Sequence, residues 1–203
     1  VAVEFAAKPT TANWLMGDQI GMTFRSMSNP NQYQQPDTYK GTYWYNIVGC
    51  TPSIDTDQCG VHTNSGVLNY WFYLLTNGGS GTNDINNAFS VSGIGIVKAA
   101  AIAYRTNTNY LGSSSTYADA RTYSIKSAED LYGVGSNEAN QVMNAFYAVG
   151  IGTAAGSGGT TSCVAPSALA SSAITQTTAT VSWGAVSGST GYTFEYKPST
   201  LST

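Results

Sequence analysis

The sequence predicts a mainly α-helical domain over residues 1–152, a Gly/Ser/Thr connector at 153–162 and a partial β-sandwich module at 163–203. Three observations carry this reading. The run Val67-Leu-Asn-Tyr-Trp-Phe-Tyr-Leu-Leu75 is apolar almost all round, as a central buried helix is. Ala139, Val142, Met143, Phe146 and Val149 recur at helical spacing. After the small-residue stretch Ala154-Ala-Gly-Ser-Gly-Gly-Thr-Thr-Ser162, apolar and hydroxyl residues alternate over 172–183 and again over 192–197, the two-residue period of strands.

Charged side chains make up 9% of the 203 residues and hydrophobic ones 42%. That much apolar material at so low a charge can bury a core and offset the entropy of ordering. The net charge is −3 and the basic residues are scattered, which leaves no electrostatic footprint for nucleic acid. No apolar run reaches the ~18 residues of a membrane span. The N-terminus, Val-Ala-Val-Glu-Phe, has neither a start Met nor a signal-peptide pattern, and the chain reads as a piece of a longer one.

Residues 1–7 form a short apolar stretch that reads as the end of a helix, broken by Lys8-Pro9. Asn13-Trp14-Leu-Met-Gly17-Asp18 reads as a turn. Glu4, Asn13 and Asp18 are oxygen donors of the kind calcium takes, with capping and surface roles as the plainer alternative. Residues 21–60 show weak periodicity, and so long an irregular segment in a compact domain marks a site wall or binding loop. Within it, Arg25 beside Phe24 and Met27 could clamp a carbonyl or carboxylate with its rigid fork, or cap backbone carbonyls. Cys50 and Cys59 lie in a turn-rich stretch, where a short disulfide and an oxidising, extracellular compartment are the natural reading, against two free thiols. No further metal-type ligands stand beside them, so a zinc knuckle is not expected. Cys163 is left over.

Helices are expected over about 64–77, ended by Gly78-Gly79, and over about 93–111, with a polar loop at 81–87 between them. A third begins near Thr116, with Asp119 placed three residues on for a capping box, and ends at Gly133. A fourth follows Ser136. These last three read as scaffold. The chemistry concentrates at the mouth of the first, where His62 is the only histidine and Asp57 stands five residues ahead. A carboxylate on one ring nitrogen fixes the tautomer and leaves the other nitrogen to donate. On spacing alone, the favoured reading is that His62 merely satisfies the helix start.

Gly60-Val-His62-Thr-Asn-Ser-Gly66, Phe24-Arg25-Ser-Met-Ser-Asn-Pro30, Pro36-Asp37-Thr-Tyr39 and Ser127-Ala-Glu-Asp-Leu-Tyr-Gly133 resemble the thermolysin family of secreted zinc metalloproteases, in order and over about residues 1–152. The resemblance implies that family's C-terminal helical lobe, which forms one wall of the active-site cleft. It implies that His62 donates to the oxyanion of the tetrahedral intermediate and that Asp57 orients and charges it. It also implies that Arg25 bonds a substrate carbonyl beside the primed-side pocket and that Phe24 helps line that pocket. Gln58 stands where the family has Asn, and Cys59 where it has Gly. Glu4, Asn13 and Asp18 resemble parts of its calcium cluster. The tail after Cys163 resembles the start of a fibronectin type III domain, through Pro166, Thr180-Val-Ser-Trp183 and Gly191-Tyr-Thr-Phe-Glu-Tyr196.

The family's chemistry needs Zn2+ held by two histidines and a glutamate, the histidines coming from H-E-x-x-H on a helix. One histidine cannot supply both. The zinc ligands are therefore expected before Val1, and this chain alone is expected to be inactive. Its expected partners are the missing N-terminal zinc-binding lobe and a peptide or protein substrate. The alternative is a non-catalytic extracellular adhesion or peptide-binding protein that kept the lobe's fold.

Overall fold

A computed structural model describes residues 14–156 and 166–186. The chain divides into two units, 1–157 and 158–203.

The first unit opens with a two-stranded antiparallel ladder, β1 (Leu15–Met16) against β2 (Arg25–Ser26), paired Leu15 to Ser26 and Met16 to Arg25. The sequence reading put a turn at 13–18; the turn comes later, as a 3-10 helix at Asp18–Ile20 between the two strands. Each strand is two residues long, too short for any alternation to register. Residues 27–56 carry only one further short helix, Pro30–Tyr33, and otherwise follow the irregular course expected of them.

Helices α1 (Asp57–Asn64) and α2 (Gly66–Asn77) follow, joined through Ser65, whose own backbone is right-handed helical. The carbonyl of Ser65 accepts from Asn69 N–H, so the two run on as one element. Val67, Leu74 and Leu75 are essentially inaccessible and Trp71 and Phe72 are buried, as the all-round apolarity predicts. Each such side chain contributes about 1.5–3 kcal/mol by leaving water. Gly78 ends α2 with φ 79, a conformation that favours glycine, and a Cβ there would stand 2.7 Å from the Val91 carbonyl.

The expected polar loop is instead the tip of a hairpin, β3 (Gly78–Thr82) against β4 (Ala88–Ser92), in register from Gly78 opposite Ser92 to Thr82 opposite Ala88. Gly-Gly-Ser-Gly-Thr has no strand signal of its own; the pairing comes from β4, whose Val91 is buried in the core. The next helix, α3 (Ile96–Asn109), starts three residues later than its periodicity suggests. The residues before it are committed elsewhere. Ile94 and Gly95 donate to the carbonyls of Leu75 and Thr76, satisfying the C-terminal end of α2.

Helix α4 (Tyr117–Tyr132) begins with the expected capping box: Thr116 Oγ1 accepts from Asp119 N–H, and Asp119 accepts from Thr116 N–H at 2.8 Å. Helix α5 (Asn137–Ala148) is capped by Ser136 and buries Ala139, Val142, Ala145 and Phe146. The four helices α2 to α5 pack around one core, with the Trp71 ring 4.7 Å from that of Phe146. Thr106 Oγ1 donates to its own Ile102 carbonyl and reaches Ser127 on α4, so this buried polar spot between α3 and α4 is satisfied. Beyond α5, the Thr153 carbonyl accepts from Arg121 and Ala155 N–H donates to Asn144.

Within the second unit, β5 (Ala170–Ser172) pairs antiparallel with β6 (Thr180–Ser182). Thr175 and Thr178 close the turn between them. These are two of the three expected strands; the third, at 192–197, lies outside the described residues, as do the helix end expected at 1–7 and Cys163.

Candidate active site

The site is built where the irregular segment meets the start of α1. The backbone of residues 57–60 is left-handed throughout, with φ 52, 48, 63 and 78 at Asp57, Gln58, Cys59 and Gly60. The right-handed helix starts only after it. For residues with a Cβ, this conformation costs roughly 1–2 kcal/mol each. The turn folds Asp57 back over the helix start. Its Oδ2 accepts from His62 N–H at 3.1 Å, from Thr63 N–H at 2.9 Å and from Thr63 Oγ1 at 3.0 Å. Its Oδ1 lies 2.5 Å from His62 Nδ1. Asp57 thus caps the helix and holds the imidazole with one carboxylate. The Thr63 amide, then the hydrogen bonds from His62 and the Thr63 hydroxyl, pull its pKa below the ordinary carboxylate value, and desolvation opposes them.

The His62 side chain is 71% exposed, so its second nitrogen faces open space. Asp57 Oδ1 fixes Nδ1 as the nitrogen that carries a proton in the pair, and Nε2 is the one left for a ligand. Asp57 caps the helix, and the histidine ring is held by the cap.

Arg25 reaches the same helix from β2. Its Nη1 donates to Ser65 Oγ at 2.9 Å, and Ser65 Oγ donates in turn to the His62 carbonyl at 2.6 Å. One of five guanidinium N–H groups is thereby committed. Phe24 immediately precedes β2. It packs on Gly17, where a Cβ would stand 2.6 Å from the ring, and remains 48% exposed.

Cys50 and Cys59 form the disulfide that their spacing suggests, with the two Cα atoms 5.8 Å apart. Of the calcium candidates, Asp18 opens the first 3-10 helix, while Glu4 and Asn13 lie outside the described residues. Among the described residues no three His, Cys, Asp or Glu side chains form a metal-binding group. The single histidine, engaged by Asp57, does not fit a two-histidine zinc site.

Three supporting residues escaped the sequence reading. Asn64 is buried and uses both ends of its amide on Tyr45, accepting from its N–H at 2.9 Å and donating to its carbonyl at 3.0 Å. It thereby pins the irregular segment to the helix that carries His62. Tyr117, on a helix read as scaffold, donates its hydroxyl to the Asn64 carbonyl at 2.6 Å and packs against Tyr39 and Trp44. Desolvation, with a contribution from Tyr39, pushes its pKa up to about 12. Ser65 is the third. A serine just after a histidine at a helix start was the available signal, but serine is too common at helix starts to stand out.

This fold is that of a metallopeptidase helical domain. A family model described as thermolysin metallopeptidase, alpha-helical domain, matches residues 1–151, and the chain belongs to that family. Among curated relatives, a bacillolysin of Bacillus cereus is 39% identical over 145 residues, covering 68% of this chain and 23% of the relative. A thermolysin of Alicyclobacillus acidocaldarius subsp. acidocaldarius is 38% identical over 155 residues, covering 73% and 26%. A bacillolysin of Brevibacillus brevis is 35% identical over 153 residues, covering 72% and 26%. The chain spans about a quarter of the length of these relatives.

Proposed function

We propose that this chain is the helical part of a secreted zinc metalloendopeptidase, supplying the residues that stabilise charge and position the peptide while the zinc ligands come from elsewhere in the protein. The observation that carries the reading is the Asp57–His62 pair: an imidazole locked through Nδ1 at 2.5 Å, with its other edge exposed. Membership of the metallopeptidase family and the extracellular-type disulfide support it.

In this reading His62, protonated on both ring nitrogens, donates from Nε2 to the oxyanion that develops as the scissile carbonyl becomes tetrahedral, and ionised Asp57 stabilises the imidazolium charge. The free N–H groups of Arg25 bond a substrate carbonyl, and Phe24 contributes an apolar surface beside it. Zinc supplies the polarised water when bound, and in this reading its ligands belong to the rest of the protein. Calcium at Glu4, Asn13 and Asp18 belongs to the same proposal, as does the fibronectin type III character of residues 163–203.

The test is a protein that joins this chain to its zinc-binding half. His62→Ala should lower turnover about a hundredfold or more, the usual worth of one oxyanion donor, with zinc content unchanged. Cleavage that survives chelation, or a His62→Ala enzyme of undiminished rate, contradicts the proposal. Absence of both zinc and cleavage in the complete protein turns the reading to a peptide-binding groove.

A further inference from the structure

The left-handed turn at 57–60 raises the question of what holds it. Three of its four residues, Asp57, Gln58 and Cys59, have side chains and sit where glycine is favoured. The third of these is the residue bonded to Cys50. The strained turn is also the element that aims the carboxylate, because Asp57 lies at its start and His62 two residues beyond its end. Backbone bonds from Gln58 N–H to the Ser53 carbonyl and from Gly60 N–H to the Thr56 carbonyl tie the turn to the same loop that the disulfide closes.

We propose that the Cys50–Cys59 disulfide is a positioning device for the Asp57–His62 pair: it holds residue 59 left-handed, and with it the turn that presses the Asp57 carboxylate against the imidazole. This rests on the proposed function for its catalytic meaning, but not for its structural content. Two consequences follow. Opening the bridge frees the loop to relax toward right-handed or extended backbone, which withdraws the carboxylate. A glycine at 59 makes the bridge dispensable, since it adopts the same φ without the steric cost.

The single histidine gives one imidazole signal set, which makes the test direct. The 203-residue chain is labelled with nitrogen-15 and its ring tautomer is read by long-range nitrogen–proton correlation, at a pH above the ordinary histidine range. Three forms are compared: the oxidised chain, Cys50→Ser with Cys59→Ser, and Cys50→Ser with Cys59→Gly. The oxidised chain should hold the Nδ1–H tautomer. The double serine variant should shift to the Nε2–H form that free histidine prefers, and the serine–glycine variant should return to Nδ1–H.

An unchanged tautomer in the folded double serine variant overturns the proposal. A serine–glycine variant that folds but stays in the Nε2–H form overturns it as well. If the double serine variant unfolds, the serine–glycine variant decides: folded with Nδ1–H supports the clamp, and unfolded assigns the bridge to global stability instead. The readout is the His62 ring and not peptide cleavage, so the clamp and the protease reading can fail separately.

Discussion

Arg25 and the backbone of His62 are joined through one hydroxyl: Ser65 Oγ accepts from the guanidinium at 2.9 Å and donates to the His62 carbonyl at 2.6 Å. The two residues offered for substrate contact thus have a shared support, although 37 positions of chain separate them (62 − 25). Ser65→Ala should cost about 1.5–3 kcal/mol, the worth of a hydrogen bond from a charged donor. Combined with Arg25→Ala the losses should be non-additive by about 0.5 kcal/mol or more in urea unfolding. Strictly additive losses would show that the contact carries no coupling.

Asn64 should be the most sensitive position in the site wall. Asn64→Ala leaves both the N–H and the carbonyl of Tyr45 without their partner, and should cost about 2–3 kcal/mol. Asn64→Asp keeps the acceptor but turns an oxygen toward the Tyr45 carbonyl, so it should be at least as harmful near neutral pH. Denaturant midpoints of the two variants, measured side by side, check this order.

Tyr117 predicts an alkaline weakness. Its folded pKa stands above the unfolded value, at about 12 against 10.0. The folded state therefore binds the phenol proton more tightly, and the stabilisation is complete below the unfolded value. It is lost as pH rises from 10 through 12, by about 3 kcal/mol in all. Tyr117→Phe removes that dependence along with the bond to the Asn64 carbonyl. A wild-type and a Phe variant with parallel stability curves across this range would refute the assignment.

Asp130 predicts the acid counterpart. It accepts from the Tyr110 hydroxyl, from Arg105 at 2.8 Å and from Lys126 at 3.3 Å. Those bonds, Tyr110 first and Arg105 next, lower its pKa to about 2. Its contribution is present above the unfolded value of 3.8 and is lost as pH falls through the folded one. Asp130→Asn should flatten the decline in melting temperature between these two values. Because the network is at the surface, salt should weaken the effect in the wild type.

The helices were legible because their signals are local. The capping box at Thr116 and Asp119, the glycine stop at 78 and the stripe from Ala139 to Val149 each lie within a few turns of chain. The hairpin was not, since Gly78-Gly-Ser-Gly-Thr acquires its strand character only from residues 88–92. The same division runs through the site. His62, Asp57 and Arg25 could be singled out from residue type and spacing, and the motif resemblance sharpened them. Asn64, Ser65 and Tyr117 could not, because each acts on a partner that the fold brings in from a distance, 53 positions for the Tyr117 hydroxyl and the Asn64 carbonyl.

The end of α5 ties together segments far apart in the chain. The Val149 carbonyl accepts from Tyr39 N–H at 2.8 Å, and the carbonyls of Tyr147 and Ala148 accept from Asn83. The segment that bears Arg25 and the loop that follows β3 are both moored there. The Asn64 bonds to Tyr45 hold the site wall at its other end. A truncation before residue 147 therefore removes the acceptors of both segments while leaving every contact among Arg25, Asp57, His62 and Ser65 in the chain.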